Sequence, residues 1–417
     1  MNEVSMVQFS HYILAAAAAV ALAPASTLAA KIKPAGPNGP SSLNFINPYT
    51  AGKAPYANKG YAAKLEETIS YFNSRGDSLN AARTRTVQRT PTFRWLSHTS
   101  NLPDVKTLID EALAVQRSTG KNQLVQLVVY NLPDRDCSAY SSAGEFSLAN
   151  DGLNKYKAWV DSIVASLSTP DAAKLSFVVV VEPDSLANLV TNGNVGRCSQ
   201  TAPAYKEGIA YVIAKLQRPN IALYMDAANG GWLGWADNLA PSARLFAEVL
   251  ALARTKAPGA TVRGVVTNVS NYNQYIAPVR ENYTEWSPSW DESHFVSALA
   301  PYLIENNFPA HFIVDQSRGG RGGIRTEWGQ WCNIRNAGFG NTPTADQAVL
   351  QNQYVDALAW VKPGGESDGT SDRSSSRFDE TCALPVAHVP APEAGTWFNE
   401  YVANLVKLAN PPLQPTY

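Results

Sequence analysis

Seven short runs of apolar, largely β-branched residues recur along this 417-residue chain, and none shows strict apolar–polar alternation. They fall at residues 92–96, 124–130, 175–181, 221–225, 262–267, 311–314 and 357–361. A strand with one wet face alternates, whereas a strand buried on both faces does not. Between most of the runs lie stretches of helical period, at 105–118, 153–167, 204–216, 241–255 and 290–306. Strand and helix in turn require a parallel sheet with helices packed on it. About seven such units predict an α/β fold of the distorted, TIM-like parallel barrel kind, with its site at the C-terminal strand edge under covering loops. An open doubly wound sheet is the alternative.

The residues that end the runs carry the chemistry. Trp95 closes the first, and Tyr130 closes the second with Asp134 and Asp136 beyond it. Glu182 and Asp184 follow the third run, Asp226 the fourth, Asn268 the fifth, Asp315 the sixth, and Lys362 and Glu366 the seventh. In parallel β/α folds these ends share one rim. The five histidines are scattered, no GxSxG occurs, and no glycine fingerprint follows the first run. A histidine triad, a metal site and a dinucleotide site are therefore not expected, and no cofactor is called for. A carboxylate rim suits glycoside hydrolysis: one protonated acid serves the leaving oxygen, and a second carboxylate assists water or attacks the sugar. The bland reading of Asp226 and Asp315 is that they cap the helices that follow. Ten tryptophans and a net charge of −1 fit a neutral carbohydrate partner and not nucleic acid. The hexamer RGGRGG at 318–323 is read as a flexible loop.

Residues 13–30 form an Ala-rich apolar stretch broken by Pro24 and ending in small residues. This is the pattern of a secretory signal peptide over 1–30, although Glu3 takes the place of the usual basic residues. A membrane anchor is the competing reading, and Pro24 counts against it. A Pro/Gly-rich arm is expected over 31–46 and a single catalytic domain over 47–417, with no separate carbohydrate-binding module. Cys137, Cys198, Cys332 and Cys382 are widely spaced and include no CxxC pair. That fits two disulfides in an oxidising compartment better than zinc. Sequons begin at Asn268, expected to be buried, and at Asn282, a plausible acceptor. A secreted, extracellular, monomeric glycoprotein is expected, free of the membrane after processing.

Six blocks then stand out in order: NLPDRDC at 131–137, VEPDSLANLVTN at 181–192, DAANGGWLGW at 226–235, RGVVTNVSNY at 263–272, WGQWCN at 328–333 and WVKPGGESDGTSD at 360–372. Together they resemble glycoside hydrolase family 6, the family of fungal cellobiohydrolases and endoglucanases, over nearly all of 47–417. The resemblance implies that Asp184 is the general acid and that Asp136 keeps it protonated and supports the developing sugar cation. Inversion is implied, with water held through Ser142. The proton acceptor is Asp136 or Asp368, with Asp136 preferred. Tyr130 would press on the ring at the point of cleavage. Trp95, Trp331, Trp232 and Trp235 would be sugar platforms, and Lys362 and Glu366 would bind hydroxyls on the non-reducing side. Asp226, Asn268 and Arg318 would be polar lining or support. The resemblance also implies the pairs Cys137–Cys198 and Cys332–Cys382.

Two features modulate this reading. Where the family has DAGHAGWLGW, Asn229 stands in place of a sugar-binding histidine, which implies altered affinity or product release. The stretch 362–397 is long, as in family members whose cleft is roofed into a tunnel, and implies cellobiose release from non-reducing ends of β-1,4-glucan. An endo-acting member and a weakly active carbohydrate-binding paralogue are the alternatives.

Overall fold

The computed structural model describes residues 42–417. The signal peptide expected over 1–30 lies outside the described residues. The chain runs β1 (Ala54–Pro55), α1 (Lys59–Asn73), α2 (Ser78–Gln88), β2 (Arg94–Leu96), α3 (Leu102–Thr119), β3 (Gln123–Val129), α4 (Gly152–Leu167), β4 (Ser176–Val181), α5 (Ser185–Thr191), α6 (Gly196–Lys215), β5 (Ile221–Asp226), α7 (Ala236–Lys256), β6 (Gly264–Thr267), α8 (Glu292–Glu305), β7 (Phe312–Asp315), α9 (Gln347–Leu350), β8 (Val355–Ala359) and α10 (Asn399–Lys407). Every strand pairing is parallel, in the order β1-β3-β4-β5-β6-β7-β8, with β2 also on β3. β1 pairs with the start of β3, at Gln123 and Leu124, and β2 with its end, from Leu127 to Val129. The two short strands therefore share one edge.

The uninterrupted apolar runs are explained by two-sided burial. In β3, Leu124 and Val128 face one cluster with Val178, Val180, Ala222, Tyr224, Val266 and Ile313. Their neighbours Val125, Leu127 and Val129 face another, with Phe177, Val179, Val181, Leu223, Met225 and the helices. Side chains separate by parity along each strand, and both halves are buried, so the one polar residue inside the run, Gln126, is itself buried and accepts from Tyr49 Oη at 2.9 Å. Helix α3 begins with Pro103 in its first turn and ends on Gly120 at φ 67°. Both are standard start and stop devices. Helices α1, α2 and α10 were not expected; they bury Leu65, Phe72, Val87, Val402 and Leu405 in a third cluster beside the barrel.

The sheet curls but does not close by a ladder. Across the gap between β2 and β8, Phe93 N–H donates to Trp360 O at 3.3 Å and Trp95 Nε1 donates to Val361 O at 2.9 Å. These two bonds bridge the seam beside Trp95 and Lys362. At the opposite end, Arg263 makes a bidentate, buried ion pair with Asp356 at 2.8 Å, and Tyr224 donates to the same carboxylate at 2.7 Å. The arm expected over 31–46 ends earlier, because Leu43 and Asn44 belong to the barrel floor. Asn44 accepts from Leu223 N–H and donates to Thr261 O.

Candidate active site

The C-terminal strand ends and their loops enclose a cavity of about 570 Å³. It is lined by Asp136, Ser142, Asp184, Asn229, Trp232, Trp235, Trp331, Lys362 and Asp368, all expected at the site. Trp328, Asn188 and Asn271 also line it and were not expected. The backbone at this edge is unusual. Asp136, Glu182, Asp184 and Asn268 have φ of 59°, 51°, 66° and 63°. A left-handed non-glycine residue costs about 1–2 kcal/mol, so such a cluster marks a site where side-chain direction outweighs local strain.

Asp184 starts α5 but makes no cap hydrogen bond with its carboxylate. Its backbone N–H donates to Asp226 Oδ2 at 2.9 Å, which draws the two aspartates together. Burial raises the Asp184 carboxyl well above the ordinary range; the charge of Asp226 adds to this, then that of Asp136. Asp226 is raised too, by its own burial, and its Oδ1 is buried without a partner. Two buried carboxylates this close cannot both ionise cheaply, so the pair favours holding a proton. The like charge that matters most is therefore Asp226, which the sequence placed as lining or support, ahead of Asp136.

Asp136 itself is raised by burial, against the pull of Ser142 N–H at 2.8 Å and of Arg197 and Arg135. Asp368 behaves oppositely. Burial would raise it, but Arg318 and Lys362 hold it below the usual carboxylate value. Its Oδ2 accepts from Arg318 Nη1 at 2.7 Å, Tyr272 Oη at 2.7 Å and Asn333 N–H at 2.8 Å. Lys362 Nζ lies 3.8 Å from Oδ1, and burial lowers its own pKa.

Other expected residues fall outside this cavity. Trp95 and Glu366 line a neighbouring recess of about 250 Å³. Lys64 pairs with Glu366 there at 2.8 Å, and Lys362 reaches back to within 5.5 Å of the Trp95 ring. Tyr130 is buried, edge-to-face on Trp95 at 5.4 Å, with the Arg135 guanidinium 4.5 Å from its ring. Asn268 is not among the residues that line the cavity. It is fully buried, its Nδ2 donates to Asn273 O and Asp315 O, and its Oδ1 accepts from Asn273 N–H. Its next neighbours Val269, Ser270 and Asn271 line the cavity instead. Arg318 is buried behind Asp368. Asp315 caps no helix; it ties Ser270, Ser317, Val361 and Lys362 N–H groups together beneath the rim.

The wall around Asn229 is built from behind. Glu292, buried at the start of α8, accepts from Gly230 N–H at 2.9 Å and Asn273 Nδ2 at 2.6 Å. Asn229 Oδ1 accepts from Gly231 N–H at 3.0 Å. A Cβ on Gly231 would stand 1.9 Å from the Trp328 ring, so only glycine allows that indole to lie on the loop. Two disulfides, Cys137–Cys198 and Cys332–Cys382, anchor the covering loops in the pairing the family resemblance implied. The loops meet: Arg377 Nη2 donates to Ser141 O at 2.6 Å, and Ser141 Oγ donates to Arg377 O at 3.4 Å. This bridge ties the C-terminal loop to the loop that carries Ser142, which lines the cavity beside Asp136.

Comparison with known proteins adds to this geometry. The profile of the family described as "Glycosyl hydrolases family 6" matches residues 50–409. "Exoglucanase 3" of Agaricus bisporus is 48% identical over 368 residues, covering 88% of this chain and 80% of that protein. The crystal structure of CcCel6C, a glycoside hydrolase family 6 enzyme from Coprinopsis cinerea, superposes with a TM-score of 0.88 at 63% identity, covering 89% of this chain and 100% of that one. Cellobiohydrolase II (Cel6A) from Humicola insolens, solved with glucose and cellotetraose, gives a TM-score of 0.83 at 42% identity, covering 88% and 100%.

Proposed function

The chain belongs to glycosyl hydrolase family 6, and on that premise we propose that it is a secreted, inverting cellulase that releases cellobiose from non-reducing ends of β-1,4-glucan. Asp184 brings its proton to the glycosidic oxygen as the C1–O bond breaks. Water attacks C1 from the opposite face and its proton passes to Asp136, with Ser142 beside it. Asp136 is the better base of the two candidates. Its pKa is raised, whereas Asp368 is held as a weakly basic anion by Arg318 and Lys362. Trp331, Trp232 and Trp235 offer flat faces along the cavity, and Trp95, Lys362 and Glu366 offer a site beyond it on the non-reducing side.

The observation that carries this reading is the seating of Asp184 in a tryptophan-lined cavity that also presents Asp136, with the buried Asp226 carboxylate held against the Asp184 backbone at 2.9 Å from behind. The bridge from Arg377 to Ser141 supports the exo mode, since it joins the long C-terminal loop to the loop on the other side of Asp136 and so favours a covered cleft entered from a chain end. The paired cysteines support an oxidising destination. Anomer-resolved NMR on cello-oligosaccharides tests substrate, cut position and stereochemistry together. The expected first product is α-cellobiose. A β-anomer would overturn inversion, and a steep viscosity drop on soluble cellulose would overturn the exo mode in favour of an endo-acting enzyme.

A further inference from the structure

Outside the cavity, one large apolar side chain is left in water by a turn built to hold it there. Trp286 is 83% exposed, while Thr284 and Ser287 on either side are 1% and 2% exposed. Arg280 fastens this turn: its Nη2 donates to the carbonyls of Thr284, Glu285 and Ser287, and its guanidinium lies 5.0 Å from the Trp290 ring. Thr284 Oγ1 donates to Glu281 O at 2.7 Å, and Ser287 N–H donates to Thr284 O at 2.9 Å. The indole is therefore presented on a fixed backbone, which lowers the ordering cost of binding.

The turn is continuous with the cavity wall. Tyr283 packs edge-to-face on Trp328, with centroids 5.2 Å apart, and Trp328 lines the cavity. The polar surroundings narrow the partner. Asn282 and Glu285 are exposed beside Trp286. A flat indole edged by hydrogen-bonding groups matches a sugar ring, which has an apolar face and a hydroxyl rim. An anionic lipid surface would call for a cluster of basic residues, whereas the single arginine of this turn, Arg280, stands among Glu281 and Glu285. A stable protein interface would call for a far larger buried surface than one side chain provides.

We propose that Trp286 is a binding platform for β-1,4-glucan outside the cavity, stacking on a chain of the insoluble substrate. This rests on the function proposed above, and the test separates the two. Wild type and Trp286→Ala are compared for adsorption to microcrystalline cellulose and for turnover of cellohexaose, both in an Asn282→Gln background so that a glycan there plays no part. Adsorption should weaken about fivefold, the scale of one aromatic contact, with kcat and KM on cellohexaose unchanged; Trp286→Tyr should restore most of the adsorption. Equal adsorption of Trp286→Ala and wild type would overturn the platform while leaving the hydrolase reading intact. A wild type that neither adsorbs to cellulose nor cleaves cellohexaose would overturn the hydrolase reading itself. Sedimentation showing a wild-type dimer that Trp286→Ala dissociates would assign the indole to self-association and overturn the proposal.

Discussion

Asp184 and Asp368 line the same cavity and are both desolvated, yet they titrate in opposite directions. Around Asp184 the chain has placed further acids, Asp226 and Asp136. Around Asp368 it has placed Arg318, Lys362, Tyr272 and Asn333. Burial pushes both carboxyls up and so does not by itself separate them. The second charge does, and the fold supplies it from a different strand in each corner. One corner stores a proton for chemistry. The other stores a fixed charge that holds the C-terminal loop to the rim.

Substitutions should expose that contrast. Asp184→Asn should cut kcat on cello-oligosaccharides about 10³-fold, within the range for a lost general acid. It should not destabilise the protein. An acid whose folded pKa is raised loses stability as pH rises from its unfolded value through its folded one, so its removal relieves that loss at neutral pH. Asp368→Ala should do the reverse. It leaves Arg318 buried without its carboxylate, at a cost of about 3–5 kcal/mol in denaturant unfolding. Because the Asp368 pKa is depressed, its stabilisation is present above the unfolded value and is lost as pH falls through the folded one. Wild type should thus lose this contribution in acid, and the variant should have none to lose.

Asp226→Asn sharpens the first corner. The amide can keep the bonds from Asp184 N–H and Ala228 N–H while removing the charge. The pKa of Asp184 should fall, and the alkaline limb of the kcat/KM profile should move to lower pH. An unmoved limb would return the main electrostatic role to Asp136. The smallest effect belongs to the rim pair Lys64–Glu366, whose lysine is more than a third exposed. Lys64→Ala should cost less than about 1 kcal/mol in stability, against the several expected at the buried Arg318 pair.

Much of this was legible in the sequence where the signal was local. Unbroken runs such as 176–181 can only be strands buried on both faces, and their ends mark the rim. The sequence was silent where the cause was tertiary. Helix α2, with polar residues on most positions, becomes a helix because Ala81, Ala82 and Val87 are buried in the flank cluster or beside it. Helix α5 is only about two turns long and lies inside the acid's own motif. The influence of Asp226 on Asp184 is one of like charge, and it spans 42 positions because a backbone hydrogen bond holds the two residues together. Asn268 reads as a strand-end ligand, but its left-handed backbone turns the amide inward to Asn273 and Asp315. Glu292 gave no sign at all, since it acts through the backbone of Gly230 and not on the cavity.

Difference infrared spectroscopy of wild type against Asp184→Asn, below neutral pH and above the ordinary carboxylate range, asks most directly which state the acid is in. A protonated carboxyl C=O stretch present in the wild type and missing from the variant is the predicted result. If the variant instead loses the paired stretches of an ionised carboxylate, the proton is not stored at this corner, and the cavity has no acid with which to break the bond.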